Sequence, residues 1–428
     1  MDVIVNKAGE IGGTVPAPPS KSYTHRAFII AGLARGTSTI RDYLDAADTL
    51  ATLGGLETFG IGMKKRERVV TIHGMGGRLK TPADIIDCGN SGTSIRLLSG
   101  VAALDGEVTL TGDESVQRRP MGPLLEALQQ LGVEAYSVMG DGTPPVTIRG
   151  GGLVGGTVKI RGDVSSQFIS SILISAPYAS GDITMEITTP LRSRPYVAIT
   201  LDIMERFGVS VENHGYQRFQ VEGGSSYKAQ DYTVEGDYSS SSYFLALAAM
   251  TGSEVTVENL FHDSVQGDAA ILDILTGMGA EVIREENKVT VKGNSLEGIQ
   301  VDLSDTPDLL PTVAALGTVA EGTTEIINVE HARYKESDRI AACAAEFRKF
   351  GAGIEERKDG LLIKGTGGRL KGATVETYHD HRMAMALAIA GCCAEGETVI
   401  RGAECVEISF PEFFERLKGL GVNTDPRP

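Results

Sequence analysis

An apolar residue followed by glycine closes a helix-like segment six times along this chain, at a nearly constant interval. The copies are Phe59-Gly60-Ile61, Leu131-Gly132-Val133, Phe207-Gly208-Val209, Met278-Gly279-Ala280, Phe350-Gly351-Ala352 and Leu420-Gly421-Val422. Their glycines are about 70 to 76 residues apart, an interval that points to a repeated structural unit. After each of the first five come two short alternating segments, the second ending in glycine at 69–74, 146–150, 219–223, 289–293 and 361–365. Period-2 alternation bounded by glycine predicts hairpins, so each unit mixes helix with strand. Six units use the whole chain, and the 53 glycines are explained mainly as helix stops and turns.

A second set of landmarks keeps the same interval. Ser20-Lys21-Ser22, Asn90-Ser91-Gly92-Thr93, Ser165-Ser166-Gln167, Asp237-Tyr238-Ser239-Ser240, Asp305-Thr306-Pro307-Asp308 and His379-Asp380-His381-Arg382 each precede an apolar run. They predict six equivalent helix openings, where free N–H groups and the helix dipole favour anions. Capping alone explains Ser, Thr and Asp at such places. It does not require the accompanying Lys and Arg.

Composition narrows the class of ligand. With 41% hydrophobic and 22% charged residues the chain has the make-up of an ordinary globular protein, and 428 residues leave room for two domains or one large one. The formal charge of -16 and a sequence pI near 5.0 argue against a nucleic-acid or anionic-membrane surface. An anionic ligand therefore needs a local cluster of cations, which can dominate at contact because distant charges are screened within about 8 Å. The N-terminal residues 1–7 read as a strand rather than a signal peptide, and the longest apolar run, 383–394, is short for a membrane helix. A cytoplasmic location is expected. The five cysteines are odd in number and form no Cys-x-x-Cys, so reduced, mostly buried thiols are expected.

The charged clusters can be weighed one by one. Lys21 and Arg26 flank a helix start, and Gly92 with Arg96 offers close backbone approach plus a cation about one turn on. Arg118-Arg119-Pro120 is expected to be extended before an amphipathic segment at 121–131. Arg192-Ser193-Arg194-Pro195-Tyr196 repeats the Arg-Pro device, and Ser165, Ser166 and Gln167 are neutral donors suited to phosphate or hydroxyl groups. Asp308 lies in an apolar stretch, where partial burial would raise its pKa and suit it to proton transfer; a helix cap after Pro307 is the plainer alternative. Residues 333–339 crowd both signs of charge before a short amphipathic helix, with Ser337 or Asp338 as its cap. His379 and His381, two apart with only the Asp380 carboxylate between them, lack a third convincing ligand, so no metal is expected.

Taken together, Lys21-Ser22 with Arg26, the 89–93 loop with Arg96, Arg119-Pro120, Ser165-Ser166-Gln167, Ser193-Arg194-Pro195-Tyr196, Pro307-Asp308, residues 335–339 and Asp380-His381-Arg382 resemble the EPSP synthase (3-phosphoshikimate 1-carboxyvinyltransferase) family. The match runs in order over nearly the full length. It implies an α/β protein of two inside-out α/β barrel domains, each of three βαβαββ-type repeats. Residues 17–234 would form one domain, and 1–16 with 235–428 a discontinuous second, with the active site in the cleft between them. The implied reaction moves the enolpyruvyl group of phosphoenolpyruvate to the 5-hydroxyl of shikimate 3-phosphate, on the shikimate pathway to aromatic amino acids, without cofactor or metal. Asp308 is implied as acceptor of the hydroxyl proton, Glu336 as donor to the methylene, and Lys21 as a cation touching both substrates. The resemblance assigns phosphoenolpyruvate to Lys21, Gly92, Arg119, Gln167, Arg339 and Arg382. It assigns shikimate 3-phosphate to Lys21, Ser22, Arg26, Ser165, Ser166, Gln167, Ser193, Tyr196, Asp308 and Lys335. A monomer binding only these small molecules is expected.

Two positions depart from the pattern. Ile408 precedes Ser409-Phe410-Pro411 where some members carry Lys, and His331 stands where some carry Asn. Both bear on affinity more than on reaction type. The sister UDP-N-acetylglucosamine enolpyruvyl transferases are the nearest rival, but Ser22 replaces their expected Asn and the Arg118-Arg119 loop has no cysteine. A non-catalytic anion-binding module is the rival of another class; Asp308 and Glu336 together argue against it, because carboxylates do not help to hold a polyanion.

Overall fold

In a computed structural model, which describes residues 1–82 and 84–427, all six repeat glycines adopt the left-handed backbone, with φ between 83° and 107°. A side chain is strained there, which is why glycine ends each helix. The helices they end are Ala47–Thr58, Gly122–Gln130, Arg194–Arg206, Ile271–Gly277, Arg339–Lys349 and Phe413–Gly419.

The chain divides into two compact units. One is Pro19–Val234; the other is Met1–Pro18 with the chain from Glu235 onward. Among the described residues, and apart from a two-stranded pair of Leu370–Lys371 with Ala394–Glu395, each unit contains three four-stranded sheets, and these six share one pattern of strand directions. A first strand runs parallel to a second, which pairs antiparallel with the far strand of a hairpin whose near strand forms the edge. In the middle sheet of the Pro19–Val234 unit these strands are Ile86–Asp87, Glu107–Thr111, Val146–Arg149 and Glu134–Ser137. The strand expected after each of the first five glycines is found as the inner hairpin strand.

In the sixth sheet the inner strand comes from the other end of the chain. Asp2–Asn6 fills the place, pairing antiparallel with both Glu397–Arg401 and Thr424–Arg427. The passages between units follow similar logic. Gly12–Pro16 runs parallel to Glu254–Glu258 in its own unit, and the chain then begins helix Lys21–Leu33 in the other. Asp231–Thr233 pairs parallel with Arg35–Arg41 before the chain returns to begin helix Tyr238–Thr251.

Every polar opening predicted from sequence lies at the start of a buried helix. These helices are Lys21–Leu33, Gly92–Ala102 and Ser166–Ser175 in one unit, and Tyr238–Thr251, Leu310–Val319 and His381–Cys393 in the other. They are apolar around most of their circumference and pack inside their units, as expected of helices covered on all sides. Contact is closest at Gly100, whose amide donates to Ser171 Oγ at 3.0 Å and where a Cβ would come within 2.3 Å of the Ser171 carbonyl oxygen. Four of the caps are side-chain oxygens: Ser91, Ser165, Asp237 and Asp380 accept from Ser94, Gln167, Ser240 and Arg382 amides. The Leu310 helix instead starts from a short 3₁₀ turn, Pro307–Leu309, so Asp308 is left to make side-chain contacts elsewhere.

One local expectation fails. Arg118 is not extended; it closes the short helix Glu114–Gln117 in the helical region of backbone space. Asp113 caps that turn through the Val116 amide, and Glu114 pairs with Arg118 at 2.9 Å. Proline restricts only the residue directly before it, which is Arg119. All five cysteines are free, and four are buried. No helix among the described residues is long and apolar enough to cross a membrane.

Candidate active site

The unit containing the chain's C-terminal half gathers its charged residues around Arg339, the first residue of helix Arg339–Lys349. Asp338 caps that helix, accepting from the Ala341 amide at 3.0 Å, so the guanidinium of the next residue is delivered to the helix mouth. Arg339 is 1% exposed and donates to three carboxylates. Its Nη1 meets Asp308 Oδ1 at 2.7 Å, its Nη2 meets Glu336 Oε2, and its Nε meets Asp380 Oδ2 at 2.8 Å. Burial works against its charge, but Asp380, Glu336 and Asp308 more than offset that, and its pKa is raised above the ordinary guanidinium value.

Asp308 is the junction of the cluster. Its second oxygen accepts from Arg382 Nη2 at 2.9 Å, and Lys335 Nζ lies 3.7 Å from the first. Apolar surroundings were expected for this carboxylate; it meets three cations instead, because helices beginning at 339 and 381 bring their N-termini to the Pro307–Leu309 turn. Arg382 also donates to Ser239 Oγ, at the opening of a third buried helix. Asp308, Lys335, Glu336, Arg339 and Arg382 are thus in one connected set. Asp380 belongs to it by contact: besides capping its own helix it accepts from Arg339 and, at 3.0 Å, from Ser337.

The Pro19–Val234 unit carries the remaining candidates at its own helix openings. Lys21 opens the first buried helix and its Nζ lies 3.1 Å from Asp48 Oδ2, the two side chains being 13% and 4% exposed. At the second opening, Arg119 packs over Gly92 so tightly that a Cβ there would lie 2.2 Å from Nη1. Arg119 also donates to Ser115 Oγ at 2.9 Å. The side chain of Gln167, at the third opening, is held at both ends. Its oxygen accepts from Arg96 Nη1 and its amide donates to Thr93 Oγ1, each at 2.8 Å. Arg96 lies over the Phe168 ring, 5.4 Å from its centre.

Arg26 is fully buried and binds oxygens without formal charge. It donates to Thr200 Oγ1 at 2.7 Å, Ser170 Oγ at 3.3 Å, and the carbonyls of Ser22 and Tyr196 at 2.9 and 3.1 Å. Burial pulls its pKa down to about 10, against a smaller opposing effect of Tyr23 and Tyr196. Its bonds tie the Ser22 carbonyl to that of Tyr196. Ser193, preceding the helix that carries Tyr196, is buried with φ of 56°, a conformation unusual for serine. Ser165 serves as a cap, and Ser166 begins its helix, buried.

Sequence reasoning left Asp48 and Ser239 unassigned and gave Asp380 no role. Asp48 and Asp380 could be suspected only as acids at helix starts, and Ser239 lies within a run of serines that offers no distinction. His331 is buried in the turn before Lys335. Ile408 is half-buried against the apolar core of its unit. Among the described residues no three His, Cys, Asp or Glu side chains cluster as a metal ion would require.

Comparison with known proteins is consistent over the whole length. A family model described as EPSP synthase (3-phosphoshikimate 1-carboxyvinyltransferase) matches residues 5–417. A 3-phosphoshikimate 1-carboxyvinyltransferase of Methanothermobacter thermautotrophicus is 53% identical over 423 residues, covering 98% of this chain and 99% of its own. The corresponding protein of Methanocaldococcus jannaschii is 50% identical over 430 residues, with 99% of each chain covered. A solved EPSP synthase structure from Acinetobacter baumannii superposes with a TM-score of 0.84 at 30% identity, covering 100% of both chains.

Proposed function

Because this chain belongs to the EPSP synthase family, we propose that it transfers the enolpyruvyl group of phosphoenolpyruvate to the 5-hydroxyl of shikimate 3-phosphate and releases phosphate. The observation that carries the proposal is the bonding of Asp308 and Glu336 to one buried guanidinium, beside Arg382 and Lys335. A module built only to hold anions gains nothing from carboxylates in that position. Proton transfer needs them.

On this proposal Asp308 accepts the proton of the 5-hydroxyl as that oxygen bonds to C2 of phosphoenolpyruvate. Glu336 donates a proton to the C3 methylene, which becomes a methyl group. The tetrahedral adduct then loses phosphate from C2 while the methyl group returns a proton, restoring the double bond in 5-enolpyruvylshikimate 3-phosphate. Arg119, Arg339, Arg382, Gln167 and the backbone at Gly92 hold phosphoenolpyruvate, the guanidinium forks matching phosphate and carboxylate. Lys21 offers charge to both substrates. Arg26, Ser22, Ser165, Ser166, Ser193, Tyr196 and Lys335 serve shikimate 3-phosphate. The unit Pro19–Val234 and the unit of Met1–Pro18 with the chain from Glu235 onward serve as the chain's two three-repeat domains. The enzyme acts as a cytoplasmic monomer on the shikimate pathway, without metal or cofactor.

Phosphate release tests this directly. It should require phosphoenolpyruvate and shikimate 3-phosphate together. No release with both would reject the proposal, and release with UDP-N-acetylglucosamine in place of shikimate 3-phosphate would favour the sister activity.

A further inference from the structure

The segment that delivers Asp380 to Arg339 is strained. Tyr378 and His379 both have φ of 55°, and neither is glycine. Two successive left-handed residues persist only where surrounding contacts hold them, and such strain gathers at functional sites. The turn begins at Thr377, which is buried and donates to the Gly402 carbonyl at 3.0 Å, and it closes with the Asp380 amide donating to the Thr377 carbonyl at 2.9 Å.

What holds the turn from the other side is Glu346, two turns along the Arg339 helix and only 1% exposed. Its Oε2 accepts from the Glu376 amide at 2.9 Å and from Lys349 Nζ at 2.6 Å, and its Oε1 accepts from the Tyr378 hydroxyl at 2.8 Å. A buried carboxylate with three donors is a committed contact, since removing them would leave an unpaired charge. Tyr378 is itself 45% exposed, so its ring is not kept in place by burial. Burial of the hydroxyl and the bond to Glu346 push its pKa up to about 12, which keeps it a neutral donor. The same helix therefore presents Arg339 at its start and, through Glu346, grips the turn that seats the carboxylate facing Arg339.

We propose that Glu346 is a positioning residue for phosphoenolpyruvate binding: with Tyr378 it clamps the left-handed turn that sets Asp380, and through Asp380 the guanidinium of Arg339 and the backbone of Arg382. The clamp rests on the proposed function for the identity of the ligand. Shikimate 3-phosphate, drawn mainly to residues of the other unit, should hardly sense it.

The test compares Tyr378→Phe, Glu346→Gln and the double variant Tyr378→Phe/His379→Gly in the full chain. Each single variant should raise KM for phosphoenolpyruvate roughly 10- to 100-fold, the effect expected for losing one hydrogen bond to a charged acceptor. The Kd of shikimate 3-phosphate alone should stay within about twofold, because most of the residues proposed for that ligand lie in the Pro19–Val234 unit. Glycine at 379 adopts the left-handed backbone unaided, so the double variant should return to within about twofold of the parent. Any other pattern in an active enzyme overturns the clamp, including unchanged KM values, both ligands weakened in parallel, or no recovery with glycine. An unaltered protein that releases no phosphate from the two substrates would refute the proposed function instead.

Discussion

Replacing Gly92 by alanine probes the phosphoenolpyruvate side of the proposal with a single methyl group. The added Cβ would lie 2.2 Å from Arg119 Nη1, 3.3 Å from Cζ and 3.4 Å from Cδ. Carbon and nitrogen in ordinary contact need roughly 3.5 Å, so the guanidinium must retreat by about 1 Å. It can do so, because the atoms struck are the far end of a flexible side chain. Moving that far alters its bond to Ser115 and spoils a two-pronged contact with a phosphate or carboxylate. Charge-assisted bonds of this kind contribute about 1.5 to 3 kcal/mol, which corresponds to a KM for phosphoenolpyruvate raised roughly 10- to 100-fold. Stability should be preserved, since Gly92 has no left-handed backbone to relieve and alanine favours helix. Steady-state kinetics with each substrate varied in turn provides the assay, with thermal unfolding alongside. Gly122→Ala, at the start of another helix with open space around it, is the matched control and should change nothing. An unchanged KM for phosphoenolpyruvate in the Gly92 variant would refute the link between Arg119 and that substrate. So would an equal rise in both KM values.

Three further outcomes follow from the charged clusters and the buried histidine. Asp308→Ala and Glu336→Gln should each lower kcat by a factor on the order of 100 or more, with shikimate 3-phosphate still bound in titration calorimetry. Normal turnover in both would remove their proton-transfer roles. Asp380→Ala leaves Arg339 buried with fewer partners and should cost about 3 to 5 kcal/mol, seen as a marked fall in Tm together with loss of phosphoenolpyruvate binding; an unshifted Tm would contradict that coupling. His25 is fully buried beside Lys21 and Arg26, and burial first, then those charges, hold its pKa well below the usual value. The unfolded chain therefore binds the extra proton first, and stability should fall by about 1 kcal/mol between pH 6.5 and 5.5 from this group alone. Urea denaturation of His25→Asn should lack that part of the slope, and an identical slope would show that the histidine is not the cause.

Much of the architecture was legible because its signals are local. A glycine that must take positive φ, a capping oxygen one residue before a helix, and alternation along a strand are set by interactions within a few residues. Six helix stops and six openings could be placed from them. Arg118 shows the limit even at short range: the neighbouring proline suggested extension, while Asp113 and Glu114 decided for a helical turn.

The pairings could not be read the same way. Arg339 meets Asp308 and Asp380 across 31 and 41 residues, Lys21 meets Asp48 across 27, and Asp2–Asn6 completes a sheet with the far end of the chain. The chain by itself determined which residues open helices and therefore carry charge at their N-termini. Only tertiary packing decided that Asp308 would sit among cations rather than in apolar surroundings, and that Arg26 would be buried among neutral oxygens. The reason is physical: a cap or a turn closes over a few bonds of backbone, whereas an ion pair between distant residues leaves no periodicity, and its partner is chosen only when whole helices come to rest against each other.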